Sequence, residues 1–259
     1  MDFNFNREIS LGYHSKTQIA RVLTEDWLSR NMYCPICGNA VLRHYEANRP
    51  VADFYCESCH SDFELKSKES GRDSLGSLIN DGQYDKMIEC ITSNQNPHFF
   101  FMQYSDFKVR NLILIPNHYF TPSIIIKRKP LSDKARRAGW VGCNINIADI
   151  PSSGKIYVIQ NGVSLDKPSV IRNYQKTAFL KHVDSTIRGW MLDVLFCIER
   201  IPSVEFTLEQ VYTFAPELSY KHPDNNFVHA KIRQQLQLLR DNGYIKFISR
   251  GHYCKNQTI

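Results

Sequence analysis

Four cysteines set in two pairs constrain this chain more than any other feature. Cys34-Pro-Ile-Cys37 is followed by eighteen residues and then by Cys56-Glu-Ser-Cys59. Two C-x-x-C knuckles at that separation form the ligand set of a structural Zn²⁺ site, tetrahedral and closed. A redox-active C-x-x-C is the other reading of a single pair, but two such pairs argue against it. Four thiolates leave no open position on zinc, so such a site pins the chain and does no chemistry. The other cysteines, Cys90, Cys143, Cys197 and Cys254, are scattered. In a reducing compartment they read as buried or half-buried free thiols.

The second knuckle lies inside a second pattern. Asp53 precedes it, and Glu64-Leu65-Lys66 follows it. Phe63 and Leu65 alternate with polar residues, so Asp62 to Lys68 reads as a half-buried strand with Glu64 and Lys66 on one face. If the knuckle turns the chain back, Asp53 meets Glu64 beside the Lys66 ammonium. Two carboxylates make a hard-cation site suited to Mg²⁺. A lysine beside such a site can orient a water for attack on phosphorus. The plainer reading is a surface ion pair, because charged residues alternate on many solvated strands.

Asp53 with Glu64-Leu65-Lys66 resembles the active site of the PD-(D/E)xK nuclease superfamily. Further stretches narrow the likeness to the DpnI-type methyl-directed restriction endonucleases: Cys34–Cys37, Asn48-Arg-Pro-Val-Ala-Asp-Phe-Tyr-Cys56, Phe63-Glu-Leu-Lys-Ser-Lys68, Ala135-Arg-Arg-Ala-Gly-Trp-Val-Gly-Cys-Asn144 and Ile232-Arg-Gln-Gln-Leu-Gln-Leu-Leu-Arg-Asp241. The resemblance covers nearly the whole chain. Ala52 stands where the superfamily pattern has proline. The likeness implies Mg²⁺-dependent cutting of both strands of DNA at 5′-GATC-3′ sites that carry N6-methyladenine. Asp53 and Glu64, with the Leu65 carbonyl, would be magnesium ligands. Lys66 would orient or deprotonate the attacking water.

Charge agrees with a polyanionic partner. The 259 residues carry a net +6, with a pI near 8.8. Between Lys127 and Ala138 there are six basic residues and one acid, whereas from Asp184 onward nine bases nearly balance eight acids. The central cluster therefore holds most of the excess. Apolar content of 42% supports a real core. The first residues lack a secretory h-region and no run approaches the ~20 apolar residues of a bilayer span, so a cytoplasmic protein with no membrane partner is expected.

The N-terminal part reads as an α/β nuclease core with a mixed sheet. Ser15-x-x-Gln18 is a capping-box pattern opening a helix from Lys16 to Arg30, with Asp26 on its apolar side as a possible further metal ligand or a local ion-pair partner. Val41–Tyr45, Ala52–Cys56 and Asp62–Lys68 form a meander, followed by a loop from Ser70 to Gly76. A helix is expected over Ser77–Thr92, strands over Phe99–Tyr104 and Leu112–Ile115, and a strand over Lys155–Gln160 turning at Asn161-Gly162. Thr121–Ala148 is irregular, either a solvated loop or a DNA-facing one. In the latter case Arg136 and Arg137 would meet phosphates, and Trp140 would offer an apolar face to a base or methyl group. Asn161–Val183 reads as turn, short helix and linker.

From Ser185 the pattern changes to three helices and a hairpin, the outline of an α+β winged-helix domain. The expected division is residues 1–183 for catalysis and zinc, and 184–259 for DNA binding. Thr207-x-x-Gln210 is a second capping box. On the third helix, Phe227–Asn242, the stripe Val228, Ile232, Leu236 and Leu239 faces a core. His229, Arg233, Gln237 and Arg240 lie opposite, with Gln234 adjacent. Arg and Gln are the side chains that read guanine and adenine edges in the major groove, although a solvated helix face has the same composition. Arg250 marks the wing tip. The expected partner is adenine-methylated double-stranded DNA, bound by a monomer. The competing function is a non-catalytic, zinc-containing winged-helix regulator in which Glu64 and Lys66 are ordinary strand residues.

Overall fold

A computed structural model describes residues 1–46, 52–71 and 76–256. Residues 48–51 of the matched motif, and 72–75 of the loop expected after Ser70, lie outside the described residues. In chain order the elements are α1 (Lys16–Asn31), β1 (Arg43–His44), β2 (Phe54–Tyr55), β3 (Asp62–Glu69), β4 (Leu78–Gln83), α2 (Tyr84–Thr92), β5 (His98–Ser105), β6 (Lys108–Ile115), β7 (Ile125–Lys127), β8 (Gly142–Asn146), β9 (Ile156–Gln160), β10 (Val163–Ser164) and α3 (Lys167–Thr177). Then follow α4 (Ser185–Arg200), β11 (Glu205–Thr207), α5 (Leu208–Tyr212), α6 (Ala215–Lys221), α7 (Val228–Asp241), β12 (Ile245–Ser249) and β13 (His252–Lys255).

The main sheet runs β1-β2-β3-β5-β6-β9-β10. Its β3–β5 pair is parallel and its other pairs are antiparallel. It is therefore the mixed sheet expected. The run His98-Phe-Phe-Phe-Met-Gln-Tyr is buried throughout, as a central strand covered on both faces must be. One face packs Phe63, Phe100, Met102, Leu112 and Leu114 against Trp27 and Leu28 of α1 and Val170 of α3. The other packs Phe99, Phe101, Ile113 and Ile115 against a second sheet and α4. This second sheet, β4-β8-β7, is antiparallel.

Three expectations need correction here. The helix expected over Ser77–Thr92 is a strand to Gln83 and a helix from Tyr84. Pairing of Ile79 with Ile145 and of Asp81 with Cys143 outweighs weak helical patterning in a stretch holding Asn80 and Gly82. The segment Thr121–Ala148 is not irregular throughout, since β7 and β8 make a hairpin whose tip carries the basic cluster. The Ser15 capping box does not form; the Ser15 hydroxyl pairs with the Thr17 hydroxyl instead. The box at Thr207 and Gln210 does form, with both reciprocal bonds.

Helices α4, α5, α6 and α7 with the sheet β11-β13-β12 make the winged-helix fold. The second expected helix is split: α5 ends after one turn, and α6 restarts with Pro216 in its first turn. Core contact between the two parts of the chain is continuous. Trp190, Met191 and Leu195 of α4 share one buried cluster with Phe99, Ile113 and Tyr119. The Tyr119 and Tyr244 hydroxyls meet at 3.3 Å, and Glu199 accepts from the Ser152 amide and hydroxyl at 2.8 and 2.9 Å. Among the described residues no helix is long and apolar enough to cross a membrane.

Gly154 sits where a side chain has no room. A Cβ there would come within 2.5 Å of the Tyr119 ring and 2.7 Å of Ile150. Gly154→Ala should therefore push Tyr119 off its contact with Tyr244. Urea unfolding should show a loss of about 1–3 kcal/mol, the usual range for overpacking a filled core.

Candidate active site and DNA-facing surfaces

The four cysteines of the two pairs come together as the spacing predicts. Cys34 Sγ lies 3.6 Å from Cys59 Sγ, and Cys37 Sγ lies 3.6 Å from Cys56 Sγ. All four sulfurs fall within 4.8 Å of one another. A tetrahedron with Zn–S bonds of about 2.3 Å has edges of about 3.8 Å, so the cage fits zinc. Each pair is a tight turn: Gly38 N donates to Cys34 O, and His60 N donates to Cys56 O. Burial opposes ionisation at Cys56, but the amides of Cys59 and Ser58 outweigh it and bring the thiol down to about 7. Burial pushes the Cys34 thiol up, and a cation in the cage is what would keep it a thiolate. The scattered Cys143 and Cys197 are buried and Cys90 and Cys254 half-buried, all as free thiols.

The knuckle sets the turn from β2 into β3. That ladder is short, pairing Phe54 with Phe63 and Tyr55 with Asp62. Asp53 stands at the bend just before β2, yet its backbone stays in register: its amide donates to Phe63 O and its carbonyl accepts from Tyr45 N. Where the ladder stops, the Asp53 side chain takes over, and its Oδ2 accepts from Leu65 N at 2.8 Å. Asp53 is thus fixed on the backbone between Glu64 and Lys66.

Alternation along β3 turns Glu64 and Lys66 to the face shared with Phe99 and Phe101. There the Lys66 ammonium bridges two carboxylates, Glu64 and, at 2.6 Å, Asp81 Oδ1 of β4. The Asp81 side chain is 4% exposed, and its Oδ2 is buried with no hydrogen-bond partner. Burial raises the Glu64 carboxyl to about 7; the Lys66 charge opposes this shift and the Asp81 charge adds to it. Burial also works against the Lys66 ammonium, but Glu64 and Asp81 outweigh it and hold its pKa above the ordinary lysine value. Lys66 is accordingly a cation here. The donor set is hard oxygen with one orphaned carboxylate atom, which fits a hard divalent cation such as Mg²⁺.

Asp26 does not join this group. It pairs with Arg30 at 2.6 Å, the local role allowed for it. The neighbouring Glu25 faces the site instead. Burial and the Asp53 charge raise its carboxyl, while His44, 3.2 Å away, and Arg21 oppose the shift. A cleft of about 410 Å³ runs between α1 and β3–β4, with Glu25, Lys66 and Asn80 in its walls. Sequence reasoning missed both Asp81 and Glu25. The Asn80-Asp81-Gly82 tripeptide, poor in helix formers, was the signal against a helix that places Asp81.

The β7–β8 hairpin tip projects Lys127, Arg128, Lys129, Lys134, Arg136 and Arg137, all exposed. Trp140 is half-buried. Its ring lies on Gly142, where a Cβ would come within 2.7 Å of it, and Arg137 stands 4.9 Å from the ring centre. On α7, Ile232, Leu236 and Leu239 are buried and Val228 packs at the edge of the same core. Arg233, Gln234, Gln237 and Arg240 are exposed. Arg233 donates to the Tyr212 hydroxyl of α5 at 2.7 Å, and Arg240 pairs with Asp241 at 2.8 Å. Arg250 is exposed at the turn between β12 and β13.

A family model described as DpnI, Dam-replacing family, matches residues 1–183, and one described as the Dam-replacing HTH domain matches residues 186–255. The chain belongs to the DpnI Dam-replacing family. That membership makes it a restriction endonuclease of the methyl-dependent kind with a DNA-binding helix-turn-helix domain. The four-cysteine cage and the mixed-sheet core belong to its first part, and the winged helix is its second.

Removing one cage ligand tests the knuckle. Cys59→Ser should lower bound zinc from about one ion per chain to a small fraction, measured by elemental analysis after dialysis. It should also broaden thermal unfolding, because metal affinity in such a cage is folding free energy.

Proposed function

We propose that the chain is a Mg²⁺-dependent type II endonuclease that makes double-strand cuts at 5′-GATC-3′ sites carrying N6-methyladenine. One observation carries this reading. A half-buried lysine held between Glu64 and Asp81, with Asp53 on the adjoining backbone, is an expensive arrangement for a structural role. Family membership supports the same reading.

In this proposal Asp53, Glu64 and the Leu65 carbonyl hold Mg²⁺, and Asp81 supplies the orphaned oxygen beside them. When bound, the ion screens the scissile phosphate and acidifies water. Lys66 orients the attacking water and stabilises the charge gathering on phosphorus. Its protonated state favours that electrostatic role over proton abstraction. Arg136 and Arg137 meet phosphates, and Arg137 would leave the Trp140 ring to do so. Trp140 then forms an apolar wall for the adenine methyl. Arg233, Gln234, Gln237 and Arg240 read the major groove, and Arg250 holds the backbone. A methyl in an apolar pocket discriminates by only about 1–3 kcal/mol, so two readers in one monomer multiply the preference.

The deciding experiment is digestion of one plasmid prepared with and without adenine methylation, in Mg²⁺ and in EDTA. Only the methylated plasmid in Mg²⁺ should be cut. Lys66→Ala should still bind methylated DNA and lose cutting by on the order of a hundredfold or more. Methyl-dependent binding with no cutting under any condition would leave a regulator.

The position of Glu64 adds a pH dependence. Its folded-state pKa is raised, so below about 7 the site holds a proton that a metal ion must displace. Metal affinity should therefore rise with pH through that value and fall as pH drops below it. At limiting Mg²⁺, moving from about pH 8 to about pH 6 should slow cutting roughly tenfold, and added Mg²⁺ should restore the rate. A loss that no Mg²⁺ concentration repairs would place the titrating group elsewhere.

A further inference from the structure

A second polar cavity lies away from the Glu64–Lys66–Asp81 group, where the zinc knuckle, the start of β5 and the start of α4 meet. It encloses about 500 Å³. Its mouth carries the exposed residues His60, Asn94 and Lys181, and the buried residues His98, His118 and Arg188 also line it. Arg188 is 3% exposed. Its guanidinium donates to Asn94 Oδ1 at 2.7 Å and to Val183 O at 3.4 Å, while Nε is buried with no partner. Among the described residues, neither Arg188 nor Lys181 makes an ion pair with a carboxylate. Lys181 stands 5.2 Å from the Tyr174 ring. The one acid in the lining, Asp62, accepts from the Tyr45 hydroxyl at 2.7 Å.

The two histidines add no charge of their own. Burial, with the Lys181 charge, lowers His98 to about 3, and burial, helped by neighbouring positive charge, holds His118 well below the ordinary histidine value, so both are neutral. His98 Nδ1 accepts from Asn117 N, whereas His118 Nδ1 is buried without a partner. The Asp184 charge reaches Arg188 only from beyond ion-pair distance and does not offset its burial, and a buried guanidinium with no carboxylate in contact, facing a polar space with unused hydrogen-bonding atoms, favours entry of an anion. Guanidinium at the floor, ammonium at the mouth and amides between them match the oxygens of a phosphate group.

We propose that this cavity is a phosphate-binding site distinct from the cutting site. Its occupant is a free phosphate or mononucleotide phosphate, or else a phosphate of bound DNA. The test is the melting temperature of the full-length zinc-loaded protein in sodium phosphate against sodium chloride at matched ionic strength. With phosphate at about tenfold its dissociation constant, wild type should gain roughly 4 °C. Lys181→Gln, at the exposed mouth, should lose most of that gain, and Arg188→Gln all of it if that variant folds.

DNA binding separates the two sources. If the occupant belongs to DNA, phosphate competes with the duplex, and Lys181→Gln reduces the salt dependence of affinity by about one phosphate contact. If it is free, DNA affinity is unchanged. No phosphate-specific gain in wild type overturns the proposal, as does a gain that Lys181→Gln leaves intact. Zinc loss in Lys181→Gln with an undiminished phosphate response would make Lys181 a counter-charge to the thiolates instead. None of these readouts involves cutting, so the result stands apart from the nuclease reading.

Discussion

The geometry of the candidate site hangs on four sulfur atoms held within 4.8 Å of one another. The strand that follows Asp53 and the strand that carries Glu64 share only two paired positions, too short a ladder to fix a register by itself. The cysteine cage closes the loop between them and removes the freedom that so short a hairpin would keep. Once the loop is closed, the Asp53 carboxylate meets the Leu65 amide and replaces the next rung of the ladder. A zinc ion in the cage would thus act on the candidate site only through chain geometry, and the second carboxylate pair, Glu64 and Asp81, is brought together by different means.

That second means is sheet against sheet. After β3 the chain leaves the main sheet, and β4 pairs with β8 in the second sheet, turning Asp81 back toward Lys66. The resulting cluster keeps an ammonium among carboxylates with little water, where each charge is costly alone and tolerable only in company. Glu64 shows the strain: burial holds its proton far above the ordinary carboxylate value. A hard cation would relieve that crowding by giving the oxygens a second positive partner.

Local signals were legible in the sequence, and long-range ones were not. Cysteine spacing, the alternation of Phe63 to Lys66 and the apolar stripe of α7 each depend on residues close in the chain, and each reads as the structure has it. Asp81 is invisible in that sense, because its importance comes from pairing with Cys143, more than sixty residues away. Glu25 and Asp26 lie on opposite rims of the buried face of α1 around Leu23 to Leu28. Periodicity cannot choose which rim faces Asp53, and the Arg30 partner of Asp26 decides it. The β7–β8 hairpin was hidden by the long basic tip between its short strands.

Helix α4 is buried from Arg188 to Leu195. It serves both halves of the chain: Trp190 and Met191 lie in one cluster with strands of the nuclease sheet and with Ile232 and Leu236 of α7. The two family matches divide just before this helix, so the seam in the sequence is not a seam in the interior. In evolutionary terms the winged helix is a poor cassette. A lineage that exchanged it for another reader would also have to rebuild the floor on which α4 rests, so new sequence preferences would arise more readily by altering the exposed face of α7 than by trading the whole module.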